Sequence, residues 1–233
     1  MNRVWIFAAA AACAVLACIP SAAPQTPAEI AAAKSKCPAD GVIDDCEDNN
    51  NQVMANKGRS GYWYTFADKS SKVEPAAGGT FTMSAGGANG SAHAAHYSGK
   101  IGNAQTVFAG VGFNFVDPKG AYDASEYKGI SFWAKTGPGS VSKVRLKVPD
   151  SATDPDGKLC TECYNDFGVD LDLTPQWTQY QIAFGEMQQL EGWGAPHTGA
   201  INPKKLFGVQ WQVNAPGAPY DVWIDDVEFI GCK

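Results

Sequence analysis

Charge is sparse in this chain: 18 % of its 233 residues are Asp, Glu, Lys or Arg, and histidine occurs only three times. The formal charge is −6 and no Lys/Arg cluster opposes it. That removes the electrostatic reason for approaching a phosphate backbone and argues against a nucleic-acid partner. The chain has no Gly-x-Ser-x-Gly elbow, no metalloprotease His pair and no pair of acids in a recognisable catalytic motif, so no enzyme signature stands out. A single C-x-x-C occurs, Cys160 to Cys163, with no second one and no His pair at ligand spacing. A structural disulfide is therefore the preferred reading there, ahead of zinc or a redox centre. Absent too is an apolar run long enough to cross a bilayer as a helix; the stretch Val4 to Ala17 is too short.

That stretch, with Arg3 as a basic n-region, reads instead as an export signal over residues 1–18. Val15-Leu16-Ala17-Cys18 resembles a bacterial lipobox, which makes Cys18 the expected lipid attachment point. The alternative is ordinary secretion after Ala22 or Ala23. Ile19 after the cysteine is compatible with an outer-membrane lipoprotein, so the protein is expected on the cell surface or secreted, touching a membrane only through a lipid anchor. Residues 19–36 are Ala/Pro/Gln/Thr-rich and read as a flexible tether. Beyond it lie Cys37, Cys46, Cys160, Cys163 and Cys232, an odd set in a compartment where disulfides persist. Cys232 could staple Cys37 or Cys46, leaving one thiol free.

What is abundant is glycine (25), proline (14) and aromatic residues (11 %), the composition of short strands joined by tight turns. Period-two alternation recurs at Val42 to Glu47, Gly61 to Phe66, Thr80 to Met83, Ala92 to Ser98, Thr106 to Phe115 and Gly129 to Lys135. It continues at Lys143 to Val148, Phe167 to Leu171, Thr178 to Phe184, Leu206 to Val213 and Tyr220 to Ile230. Gly/Pro/Asn/Asp clusters separate the runs. No room remains for a long helix. The expected fold is all-β: residues 37–233 form one two-sheet antiparallel sandwich, a monomer.

Sorting each strand into buried and wet positions yields candidate site residues. Ile130, Phe132 and Ala134 point inward, leaving Trp133 outward. Val144, Leu146 and Val148 do the same for Arg145, as Val209, Trp211 and Val213 do for Gln210 and Gln212. An indole, a guanidinium and two carboxamides on a wet sheet face are what a sugar needs, since rings stack on C–H faces and polar groups fork onto hydroxyls. His96 with Tyr62, Trp63 and Tyr64 would extend that surface. Trp193, in Gly192-Trp193-Gly194, sits on a loop where it could clamp a ligand or plug the sandwich end. Acids gather in the first strand (Asp44, Asp45, Glu47, Asp48) and the last (Asp221, Asp225, Asp226, Glu228). If those strands are neighbours, Glu47 with Asp225 or Asp226 suits a structural Ca²⁺.

Three segments carry a family likeness: Ile43-Asp44-Asp45, Tyr127-Lys128-Gly129-Ile130-Ser131-Phe132-Trp133 and Trp223-Ile224-Asp225-Asp226-Val227. They resemble carbohydrate-binding modules with galactose-binding-like jelly rolls, the family-eleven modules most of all. Other stretches resemble exported proteins of myxobacteria. The likeness spans roughly residues 41–231 and implies a jelly roll with a concave glycan-binding face and a Ca²⁺ held by Glu47 and Asp225 or Asp226. Cys46 departs from the family pattern, which has an aromatic or aliphatic residue before the acid. Non-catalytic polysaccharide binding is thus the expected function. The alternatives are a structural or adhesive protein that binds another protein, and a glycoside hydrolase or lyase using Asp170 and Asp172.

Overall fold

The computed structural model describes residues 36–232. The expected export signal, Cys18 and the tether up to residue 35 lie outside the described residues. Extended chain forms where apolar residues recur at every second position, because successive side chains then alternate between a buried and a wet face. Among the described residues twelve strands result: β1 (Val42–Asp44), β2 (Trp63–Ala67), β3 (Lys72–Glu74), β4 (Ser84–Ala85), β5 (His93–Lys100) and β6 (Ala109–Asn114). Then follow β7 (Gly129–Thr136), β8 (Lys143–Val148), β9 (Phe167–Asp172), β10 (Thr178–Ala183), β11 (Gly208–Val213) and β12 (Pro219–Ile230). The run expected at Thr80 to Met83 is not itself a strand; pairing begins one residue later, at β4. The short β3, exposed at Lys72 and Glu74 and buried at Val73, is not among the expected runs.

Two antiparallel sheets make a β-sandwich of the jelly-roll type. One has seven strands in the order β10-β7-β12-β5-β3, with β1 on β12 and β4 on β5; the other has five, β2-β6-β11-β8-β9. From β5 onward the chain changes sheet at every connection except β8 to β9. This crossing governs which side chains can meet, because strands adjacent in sequence present their wet sides on opposite faces of the molecule.

The inner faces interlock through aromatic rings. Phe132 of β7 meets Trp211 of β11 edge-on at 5.2 Å, and Trp211 stacks on Trp63 of β2 at 5.9 Å. At one end of the core Tyr127 stacks on Phe229 at 4.3 Å. Each such ring removed from water contributes about 2–3 kcal/mol. Arg59, only 2 % exposed, donates to the Tyr122 hydroxyl and to the Asp40 and Val42 carbonyls, pinning the entry to β1. A disulfide, Cys37–Cys232, fastens the beginning of the sandwich to its end. A second joins Cys160 to Cys163, while Cys46 stays unpaired and buried.

Candidate binding cleft

The outward face of the five-stranded sheet is a cleft of about 950 Å³. Its floor is built by cross-strand register. Tyr64, Gly112, Gln210, Lys147 and Gly168 form one row across all five strands; Phe66, Gly110, Gln212, Arg145 and Asp170 form the next. The glycines on β6 make the floor a trough, since a Cβ on Gly110 would lie 2.5 Å from the Phe66 ring and one on Gly112 would lie 2.8 Å from Gln210 Cγ. With hydrogen in those places, the flanking side chains lie over the strand and leave space above it.

The polar groups of the floor are held in place by one another. Gln210 Nε2 donates to the Tyr64 hydroxyl at 2.9 Å, which leaves the phenol proton available to a ligand. Burial pushes that hydroxyl up to about 12, against the smaller lowering effect of Gln210, so it is neutral at any physiological pH. The Arg145 guanidinium, 8 % exposed, reaches Asp170 at 3.1 Å and the Gln188 carbonyl at 2.7 Å. Lys147 Nζ lies 3.0 Å from Asp166 and 3.3 Å from Gln212 Oε1. Lys119, at the cleft edge, pairs with Asp154 at 2.7 Å and Asp156 at 3.2 Å. Each cation of the cleft therefore has a carboxylate of its own.

The rims rise on both sides of the sheet. Thr106, Val107 and Phe108, with Phe66, line the β2–β6 side. Beyond β9 the other rim carries Tyr164, Leu190 and Trp193, which stay 62 %, 37 % and 40 % exposed. Rings and amides thus face a broad, partly apolar groove.

Of the expected site residues, Tyr64, Arg145, Gln210 and Gln212 come together here. Trp133 does not. Its strand, β7, belongs to the seven-stranded sheet, so its indole stands on the far side of the sandwich from Arg145. His96 on β5 is on that far side for the same reason. There it stacks on Trp223 at 3.9 Å, and Lys135 lies 5.0 Å from Trp223 and 4.7 Å from Trp177. His96 Nε2 and Trp223 Nε1 both reach Asp221 Oδ1. His96 and Trp223 therefore cover one ring face of each other. Trp63 is a core residue, 2 % exposed, and Tyr62 is exposed outside the cleft. Conversely, Phe66, Lys147 and Asp166 belong to the cleft without having been singled out. Phe66 and Lys147 share the outward parity of Tyr64 and Arg145, a usable signal. Asp166 and Tyr164 lie in irregular chain, where periodicity says nothing.

The acids expected to hold Ca²⁺ do become neighbours, since β1 pairs with β12. The oxygens of Glu47 and Asp225, however, already accept hydrogen bonds. Glu47 takes Ser91 Oγ and the N–H groups of Ala92 and His93; Asp225 takes those of Ala88 and Asp226. No group of three or more His, Cys, Asp or Glu arranged for a metal occurs among the described residues. Glu47 and Asp225 are thus held by protein donors, while Asp226 is raised by burial and then by the charges of Asp45 and Glu47.

Burial also raises Asp44 and Asp225 from 3.8 to about 6, against the hydrogen bonds each accepts. A carboxyl raised by folding binds its proton more tightly in the native state, so stability is lost as pH climbs from the unfolded value towards the folded one. The expected result is a fall in unfolding free energy between pH 4.5 and pH 6.5 of roughly 2 kcal/mol for each of the two groups. Urea melts across that window check it; a flat or rising profile would contradict the burial argument.

The fold matches the family 11 carbohydrate-binding module of the cellulosomal cellulase Lic26A-Cel5E of Clostridium thermocellum, with a TM-score of 0.55 at 14 % identity, over 82 % of this chain and 94 % of that one. It also matches a family 11 module from Clostridium thermocellum in complex with a β-1,3-1,4-mixed-linked tetrasaccharide, with a TM-score of 0.53 at 15 % identity, over 73 % and 89 % of the two chains. No protein-family model and no curated protein sequence matches the chain. The protein therefore has the carbohydrate-binding-module sandwich fold.

Proposed function

We propose that the protein binds a polysaccharide chain in the cleft of the five-stranded sheet and does not alter it chemically. The observation that carries this reading is the combination in one trough of a neutral phenol, two carboxamides and a guanidinium on the floor with exposed aromatic rims. Hydroxyl-rich, uncharged surfaces suit such a site, because its cations are already neutralised by their own carboxylates. The fold neighbours include a module seen with a β-1,3-1,4-mixed-linked tetrasaccharide, which supports the same ligand class. The hydrolase alternative is less well supported. Lys143 holds Asp172 below the usual carboxylate range, which disfavours it as a proton donor, and Asp170 is engaged in an ion pair with Arg145. Export through residues 1–18, a lipid on Cys18 and a monomeric state complete the proposal: a surface-tethered module that holds glycan close to the cell.

Titration calorimetry against soluble β-1,3-1,4-glucan and a panel of other neutral polysaccharides tests it. Gln210→Ala is expected to weaken binding about tenfold, by removing a fork onto vicinal hydroxyls and the order it imposes on Tyr64. Trp133→Ala is expected to bind as the parent does. Full affinity in the Gln210 variant together with a loss in the Trp133 variant would move the site to the other sheet.

A further inference from the structure

The rim beyond β9 is an unusual construction. Cys160 and Cys163 close a disulfide across three residues of sequence, and Tyr164 follows at once with φ 75. A non-glycine residue reaches that left-handed region only where its surroundings hold it. Here the holding groups are the disulfide on one side and the bond from Tyr164 N–H to the Thr153 carbonyl, 2.8 Å, on the other. The closed loop is also bridged to the neighbouring rim loop. Thr161 N–H and Glu162 N–H donate to the Ala195 carbonyl at 2.9 and 3.3 Å, and Ala195 N–H returns to the Glu162 carbonyl at 3.0 Å. Asn165, 2 % exposed, completes the connection. Its amide donates to the carbonyls of Leu190 and Trp193 at 2.7 and 2.6 Å and accepts from Leu190 N–H at 2.8 Å. Gly194 permits this approach, since a Cβ there would lie 2.5 Å from Asn165 Cβ.

We infer that the Cys160–Cys163 disulfide is a positioning element of the cleft. It sets Tyr164 as a ligand-contacting aromatic wall, so that a dithiol reductant lowers glycan affinity without unfolding the sandwich. The inference rests on the cleft being the glycan site. A rigid aromatic gives affinity because its ordering is completed before binding; with the disulfide open, Tyr164 leaves the left-handed region and the ring must be ordered anew by the ligand. The chemistry is ordinary exchange: a dithiol thiolate attacks one sulfur, the S–S bond breaks, and the second thiol resolves the mixed disulfide. Two electrons and two protons pass to the protein, which carries two thiols, and the reagent departs as a cyclic disulfide. Cys160 and Cys163 are both half-exposed, whereas the other disulfide is half-exposed only at Cys232 and buried at Cys37, so the small loop is the more accessible of the two.

The test is a cycle in calorimetry with the full chain and soluble β-1,3-1,4-glucan. Tyr164→Ala is expected to weaken binding about tenfold and Tyr164→Phe to retain it. Cys160→Ser/Cys163→Ser is expected to bind like Tyr164→Ala, to be insensitive to dithiothreitol, and to show faster amide exchange at residues 161–164 and 195 with sheet amides unchanged. Combining that double substitution with Tyr164→Ala should add little further loss. Additive losses would mean the disulfide does not act through Tyr164, and unaltered exchange at 161–164 would mean it does not order the rim; either overturns the inference while the glycan reading stands. If the intact protein binds no polysaccharide of the panel, the glycan reading falls and takes this one with it.

Discussion

Replacing Cys37 with serine is expected to lower the free energy of unfolding by about 5 kcal/mol, a large part of what holds a domain of this size together. The disulfide it breaks joins residues 195 apart, so its removal releases nearly the whole described chain in the unfolded ensemble. In the chain-entropy view the stabilisation grows with the logarithm of the loop, reaching about 5 kcal/mol here and about 2 kcal/mol for the Cys160–Cys163 loop. Local structure points the same way. Gly41 leaves no room for a side chain beside Cys37, because a Cβ there would lie 2.7 Å from Cys37 Cβ. Lys36 bridges to Ile230, and β1 pairs with β12, so the bond secures an edge already formed by backbone pairing. Urea denaturation of the Cys37→Ser variant beside the Cys160→Ser/Cys163→Ser variant checks the ranking. Equal midpoints at equal slope would show that neither loop length nor edge pairing sets the value of the long disulfide.

Much of this fold could be read from residue order, and the reason is mechanical. A strand with one wet face repeats every two residues, so Ile130-Ser131-Phe132-Trp133 and Val144-Arg145-Leu146-Lys147 disclose both their extended state and their inward side chains. Each inward assignment in β7, β8 and β11 holds in the structure. The same signal is blind to which sheet a strand joins. β7 and β8 follow one another in sequence yet lie in different sheets, and that separation takes Trp133 away from Arg145. Pairing is decided by long-range register and by connections that cross the sandwich, neither of which has a local pattern. The segment Gly129 to Trp133 forms the strand β7, and its tryptophan stands on the far face. Two kinds of residue were out of reach for a different reason. Gly110 and Gly112 shape the trough by lacking side chains, and Tyr164 and Asp166 owe their places to irregular chain tied down by a disulfide and hydrogen bonds.

The floor also carries a consequence for stability, through its most enclosed ion pair. Lys147 and Asp166 are 8 % and 2 % exposed, and Asp166 Oδ1 has no hydrogen-bond partner of its own, so the carboxylate depends on the ammonium 3.0 Å away. Converting Lys147 to methionine keeps the aliphatic stem and removes the charge, leaving a buried carboxylate without compensation. Breaking one side of such a pair costs about 3–5 kcal/mol, more than the intact pair contributes over a well-packed apolar replacement. The expected result is a destabilisation of that size in Lys147→Met, largely recovered in Lys147→Met/Asp166→Asn, where no ion is left uncompensated. Thermal and urea melts of the three proteins measure it. The two variants should also separate binding from stability. Asp166 directly follows Asn165, so strain at its carboxylate is transmitted to the rim that carries Leu190 and Trp193, and the single variant should lose glycan affinity as well. The double variant should regain stability and rim order together; if stability returns while affinity does not, Lys147 touches the ligand itself rather than acting through Asp166.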